Sequence, residues 1–91
     1  MYTRKPTRSF RKSLRKIASS GSKGALTDIE EVINKLSKGI RLGQKHKDHP
    51  LAGELQYYRE CHVRPDMLLI YRIEEDNLVL IDVGSHSQLF K

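Results

Sequence analysis

Cysteine is almost missing from this chain. Cys61 is the only one in 91 residues. A single thiol excludes an internal disulfide and a paired-cysteine zinc site, and it suits a reducing compartment. Long apolar runs are missing too. No stretch approaches the roughly 20 residues that span a bilayer, and the opening MYTRKPTRSF has no apolar core of the kind a secretory leader carries. A cytoplasmic protein is expected. Acid is scarce in one half only. Residues 1–48 hold 13 Lys/Arg against 4 Asp/Glu, whereas residues 49–91 hold 4 against 7, and eight basic residues precede the first acid. That imbalance points to an anionic partner, whether nucleic acid, an acidic protein or a membrane surface; the plainer alternative is a solvated helix face.

What is present reads as two helices followed by strands. Tyr2 to Lys5 can form a short edge strand that Pro6 limits. Phe10, Leu14 and Ile17 recur at one helical face, with Arg8, Arg11, Lys12, Arg15 and Lys16 on the others, up to Ser19-Ser20-Gly21. Leu26, Ile29, Val32, Ile33 and Leu36 make the apolar stripe of a second helix. Ser22 or Thr27 can cap its start, Thr27 with Glu30 at capping-box spacing, and Gly39 lies where a helix-ending glycine belongs. A few small polar residues join the two helices, which predicts an antiparallel hairpin. Residues 41–53 show no period and predict a loop. LQYYRECHV, DMLLIYRI and LVLIDVG then read as three strands with short connections, and the apolar middle run as a central one. The expectation is one α+β domain over residues 1–91, a short strand and a two-helix hairpin packed on a small, curved, mainly antiparallel sheet.

The chemistry gathers in the second half. His62 ends the first of these strands, Asp66 opens the next across a short turn, and His86 follows the last strand. In a tight meander these three meet at one end of the sheet, and His49 joins them if its loop folds over. Each alone has a bland reading: a surface histidine, a turn aspartate, a small buried thiol at Cys61. Together they form the kit for RNA cleavage. One group takes the proton of a 2′-hydroxyl, another protonates the leaving 5′-oxygen, and cations such as Arg59 or Arg72 steady the charged phosphorane. Three histidines and an aspartate also match zinc in number, but they lack the short ligand spacing of most structural sites. Ser85 beside His86 lacks the elbow of a serine hydrolase.

Three segments, HKDHPLAG, YRECHVRPDMLLIYRI and VGSHSQLF, in this order and spacing, resemble the YafQ-type toxins of the RelE superfamily. The resemblance implies a RelE-like fold and a toxin of a type II toxin–antitoxin pair. It implies a ribosome-dependent endoribonuclease that cuts mRNA in the A site without a metal or other cofactor, leaving a 2′,3′-cyclic phosphate. It implies a cognate antitoxin that masks the site and binds operator DNA. The family's site positions fall on His49, His62, Asp66, His86 and Phe90. His86 is then the first choice for general acid, His49 for base or its partner, Asp66 for orienting a histidine or acting as base, and Phe90 for stacking on an mRNA base. Lys45, His46 and Lys47 are expected to hold phosphate, and the basic first helix to meet ribosomal RNA or the antitoxin. Where close relatives commonly carry tryptophan, this chain has Met67. Two other readings stay open: a toxin of this fold that poisons DNA gyrase without cutting RNA, and a non-catalytic RNA- or protein-binding module.

Overall fold

Apolar periodicity changes from helical to strand-like at about the middle of the chain, and the fold follows that change. The computed structural model describes residues 1–21, 23–53 and 57–90. In chain order the elements are β1 (Thr3–Pro6), α1 (Arg8–Ser19), α2 (Lys23–Ser37), a single 3-10 turn (Gln44–His46), β2 (His49–Pro50), β3 (Arg59–Arg64), β4 (Met67–Glu74), β5 (Asn77–Gly84) and the short α3 (His86–Leu89). One five-stranded sheet has the order β1-β5-β4-β3-β2. All neighbours are antiparallel except β1, which runs parallel to β5.

The expected edge strand is there, one residue later than the pattern suggests. Tyr2 is taken by the end of α2, where its N–H donates to the Ser37 carbonyl at 2.6 Å, so pairing starts at Thr3. Pro6 closes the strand, and an edge position tolerates its missing N–H. Thr7 caps α1. Its hydroxyl oxygen accepts from the Phe10 N–H and lies 2.9 Å from the carbonyls of Leu80 and Ile81, which ties the helix start to β5. Phe10 is buried, Leu14 and Ile17 pack beside it, and the five basic side chains face away.

Helix α2 departs from expectation at its start. It begins at Lys23, so Thr27 lies a full turn inside it rather than capping it; Ser22 falls outside the described residues. Its end is as expected. Gly39 has φ +73°, and the N–H groups of Gly39 and Ile40 return to the carbonyls of Leu36 and Lys35. Segment 41–53 is less irregular than its sequence suggests, because it holds the 3-10 turn and β2. The expected start of β3 at Leu55 lies outside the described residues, and its observed pairing begins at Arg59.

The core lies between the helices and one face of the sheet. Phe10, Ile29, Val32, Ile33 and Leu36 meet Cys61, Val63, Leu69, Tyr71, Leu78, Leu80 and Val83. Strand β4 is central, and Leu68 to Tyr71 are buried on both of its faces. A bulge at Ile81 opposite the Ile70–Tyr71 step moves the inward parity of β5 from Leu78 and Leu80 to Val83. Asp82, beside the bulge, accepts from the hydroxyls of Ser9 at 3.0 Å and Ser13 at 2.5 Å, which locks α1 on the strand.

Candidate active site

Sheet register decides which of the sequence-predicted residues meet. His62 stands opposite Leu68, and Leu68 opposite Gly84. Asp66 lies in the turn two residues before Leu68, and His86 lies two residues beyond Gly84. Neighbouring strands are about 4.8 Å apart, so the backbones of His62, Asp66 and His86 share one end of the sheet. Residues directly opposite share a face, and so do alternate residues of one strand. His62 and Glu60 therefore project from the face opposite Cys61 and Val63. His49 pairs with Glu60 from β2, one step along from His62.

Glu60 is the residue that sequence reasoning missed. Its side chain is 10% exposed, and its Oε1 lies 2.9 Å from Nε2 of the half-exposed His49. His49 Nδ1 lies 2.9 Å from the Pro50 carbonyl. A carbonyl only accepts, so Nδ1 donates there, which turns Nε2 toward the Glu60 carboxylate. Both ring nitrogens of His49 are thus engaged. Strand alternation puts Glu60 on the face of His62 and was the signal available in YRECH.

A second cluster anchors the same loop from below. Asp48 accepts from the Tyr71 hydroxyl at 2.6 Å and from Arg59 Nε at 3.2 Å, while Arg59 Nε also lies 3.3 Å from the Tyr71 oxygen. Burial, then the bond to Asp48, pushes the Tyr71 phenol well above its ordinary value. Burial pulls the Arg59 guanidinium down, but its contacts with Tyr71 and Asp48 outweigh that and raise it. Burial, followed by the charge of Asp48, pushes the Cys61 thiol up to about 12.

The expected phosphate holders divide: Arg59 and His46 are turned inward, whereas Arg72 stands on the face of His62. Arg59 alternates to the core side of β3 and is occupied by Asp48 and Tyr71, so it does not face His62. His46, expected on the loop surface, is 7% exposed, with Nδ1 2.6 Å from the His62 carbonyl. Lys45 lines a small cleft of about 140 Å³ against α2, with Asp28, Glu31 and Lys35. Lys47 is exposed, at φ +45°. Arg72 shares the face of Leu68 and Ile70. It lies over the Tyr58 ring at 5.7 Å and pairs with Glu74 at 3.0 Å.

The last corner is built by α3. Ser85 accepts from the Gln88 N–H, and the Gln88 side chain returns to the Ser85 N–H at 2.9 Å, a complete capping box. The S-x-x-Q spacing in GSHSQ is legible from sequence. This cap starts the helix at His86, whose ring lies 5.3 Å from that of Phe90 at a tilt of 44°. Both rings are exposed, Phe90 by 39%. Neither Asp66 nor His86 forms an ion pair among the described residues. Among the same residues, no three His, Cys, Asp or Glu side chains are grouped to hold a metal, and no helix is long and apolar enough to cross a membrane.

Comparison with known proteins places this arrangement. Residues 2–91 match the family model described as the bacterial toxin of type II toxin–antitoxin systems, YafQ. The mRNA interferase toxin YafQ of Escherichia coli K12 is 44% identical over 55 residues, which span 60% of each chain. The matched segment therefore covers less than two thirds of that relative's length. A metal-bound toxin from Helicobacter pylori is 40% identical, with 99% of this chain and 100% of that one covered and a TM-score of 0.89. The crystal structure of the Escherichia coli DinJ–YafQ complex superposes over 100% of both chains with a TM-score of 0.88 at 25% identity. The RelE-like expectation for the fold holds, and the chain belongs to the YafQ family of bacterial type II toxin–antitoxin toxins.

Proposed function

We propose that this toxin is a ribosome-dependent endoribonuclease that cuts mRNA in the A site by acid–base catalysis. The observation that carries the reading is the register that brings His62, Asp66 and His86 to one end of the sheet, with the His49–Glu60 pair one step away. The related Escherichia coli protein is named an mRNA interferase, which supports the same reading.

In the proposed reaction a base removes the 2′-hydroxyl proton, and the freed oxygen attacks the adjacent phosphorus. The P–O5′ bond breaks, and an acid delivers a proton to O5′. A 2′,3′-cyclic phosphate and a 5′-hydroxyl result, with no bond to a metal in any step. His86 is the acid, because it is exposed and carries no ion pair. Asp66 is the base, open at the turn. His49, with both nitrogens already engaged, suits the role of a cation held by Glu60 against the phosphorane. His62 completes the polar wall, and Phe90 stacks on a base beside His86.

The partners follow from charge. Arg8, Arg11, Lys12, Arg15 and Lys16 form no ion pair among the described residues, so α1 offers an unneutralised face to ribosomal RNA. A cognate antitoxin, as in the related DinJ–YafQ complex, would mask the site.

The test is single-turnover cleavage on programmed ribosomes. His86→Ala and Asp66→Asn are each expected to slow cleavage by roughly 10²–10⁴-fold. The wild type should leave a cyclic phosphate and keep its rate in a transition-metal chelator that spares magnesium. Unchanged rates in both variants would remove the mechanism; loss of activity in the chelator would remove its metal independence.

A further inference from the structure

Histidine 46 has no place in the reaction just described, yet it touches the backbone of a residue that does. The β2–β3 ladder shows why. His49 pairs with Glu60 and Pro50 with Arg59, and the Leu51 N–H donates to the Tyr58 carbonyl at 2.9 Å. Alternate carbonyls of a strand point to the same side. The carbonyl of His62 therefore points, like that of Tyr58, to the edge where β2 lies. Continued by two residues, the ladder would set Lys47 opposite His62. But Lys47 has φ +45°, and its N–H turns back to the Gln44 carbonyl at 3.1 Å. The chain leaves the edge there, and no backbone donor from Lys47 reaches the His62 carbonyl.

The His46 ring fills that gap. Nδ1 lies 2.6 Å from the His62 oxygen, and because a carbonyl only accepts, Nδ1 is the protonated nitrogen. His46 is 7% exposed, so the bond is shielded from water. Two further tethers follow at once: Asp48 to the Tyr71 hydroxyl, and His49 to Glu60. Three of the four residues 46–49 are thus fastened to β3 or β4.

We infer that His46 is a positioning residue, a side-chain rung that replaces the missing end of β2 and holds the His62 backbone and the His49 loop in one frame. A buried histidine satisfied by chance would have the same bond but no bearing on turnover. The activity readout rests on the nuclease reading above; the bond itself does not.

The experiment uses the full chain with three variants. His46→Leu keeps volume without a donor. His46→Asn puts an amide N–H near the place of Nδ1. His46→Gln, whose amide reaches toward the place of Nε2, stands in for His46→Leu if that variant does not fold. The expected result is a fall of roughly 10–100-fold in kcat for His46→Leu, since displacements of about 1 Å cost that much, with KM for programmed ribosomes little changed. His46→Asn should recover most of the loss. Nitrogen-15 spectra of the imidazole rings should show His46 protonated at Nδ1, and the His49 and His62 signals shifted in His46→Leu but restored in His46→Asn. Wild-type kcat in the leucine variant, or an asparagine variant no faster than it, overturns the inference. If the wild type cleaves nothing, the nuclease reading falls, and the ring spectra alone decide: a His46 proton on Nε2, or unmoved His49 and His62 signals, overturns the positioning role.

Discussion

Glu60 and His49 should behave as one unit, and a double-mutant cycle measures whether they do. The perturbation is Glu60→Gln, which keeps shape and removes charge. Oε1 lies 2.9 Å from Nε2, and the Glu60 side chain is only 10% exposed. A hydrogen bond to a charged group contributes about 1.5–3 kcal/mol. Glutamine keeps an oxygen that accepts from Nε2, so only the charge-assisted excess of about 1–1.5 kcal/mol is lost, and at 1.4 kcal/mol for each factor of ten cleavage should slow by roughly 5–12-fold. His49→Ala, which removes a cation facing the phosphorane, should slow it by about 10²–10³-fold. The informative variant is the double one. If Glu60 acts only by holding the His49 ring, then once the ring is gone the carboxylate has nothing to hold, and His49→Ala with Glu60→Gln should be no slower than His49→Ala alone. The assay is single-turnover cleavage with toxin in excess over programmed ribosomes, beside a melting curve for each variant. A double variant whose loss equals the product of the two single losses would refute the coupling and give Glu60 a separate task.

Other outcomes follow from the same coordinates. Tyr71→Phe deletes the buried hydroxyl that Asp48 accepts from at 2.6 Å, at a cost of about 1.5–3 kcal/mol. Calorimetry should show Tm lower by about 6–24 °C in a domain of this size, and an unchanged Tm would show that the bond contributes nothing. The Cys61 thiol, held up to about 12 mainly by burial, should resist alkylation at pH 8 and react only after unfolding. Its folded value is raised, so the stabilisation is complete below the ordinary thiol value of about 8.5 and is lost as pH climbs from there. Urea titrations should show stability falling by up to about 1.4 kcal/mol per pH unit across that window, and less steeply in Cys61→Ala; equal slopes would refute the assignment. A side chain on Gly84 would place Cβ 2.8 Å from the Gln88 Oε1 that bonds Ser85. Gly84→Ala should therefore loosen α3 and slow cleavage several-fold while Tm hardly moves, and a wild-type rate would show that the capping box does not position His86.

Much of this fold was written in local pattern. The apolar stripe of α2, the Gly39 stop and the β4 run through Leu68, Leu69, Ile70 and Tyr71 could be read because each depends on neighbours a few residues away. The start of α2 could not, since nothing in the spacing of Thr27 and Glu30 says that the helix already runs through them. Nor could the Ile81 bulge, which alone decides that Val83 and not Asp82 faces the core. For the site, the meander placed His62, Asp66 and His86 correctly at one end, because tight turns leave few alternatives. It failed for Arg59 and His46. Arg59 stands on the Cys61 side by alternation, and what the sequence hides is that Asp48, eleven residues away, occupies it there. His46 is turned inward by the need of a carbonyl sixteen residues away. Long-range polar satisfaction of this kind leaves no trace in composition or period.

The two-residue length of β2 joins these observations. An edge strand that ran on past His49 would satisfy the His62 carbonyl with backbone alone, and it would offer a longer row of open N–H and C=O groups to other chains. Ending the strand at His49 through the left-handed turn at Lys47 removes that row, but it leaves one carbonyl and one carboxylate side chain to be accommodated. His46 takes the carbonyl, and Tyr71 with Arg59 takes Asp48. The chain that results is held from beneath by side chains rather than along its edge by a ladder. On the other side His49 stays half exposed above the nearly buried Glu60. A loop of lysines, histidines and an aspartate is therefore what this geometry requires: inward groups to replace the missing ladder, and an outward imidazole at the end of the sheet where His62, Asp66 and His86 already stand.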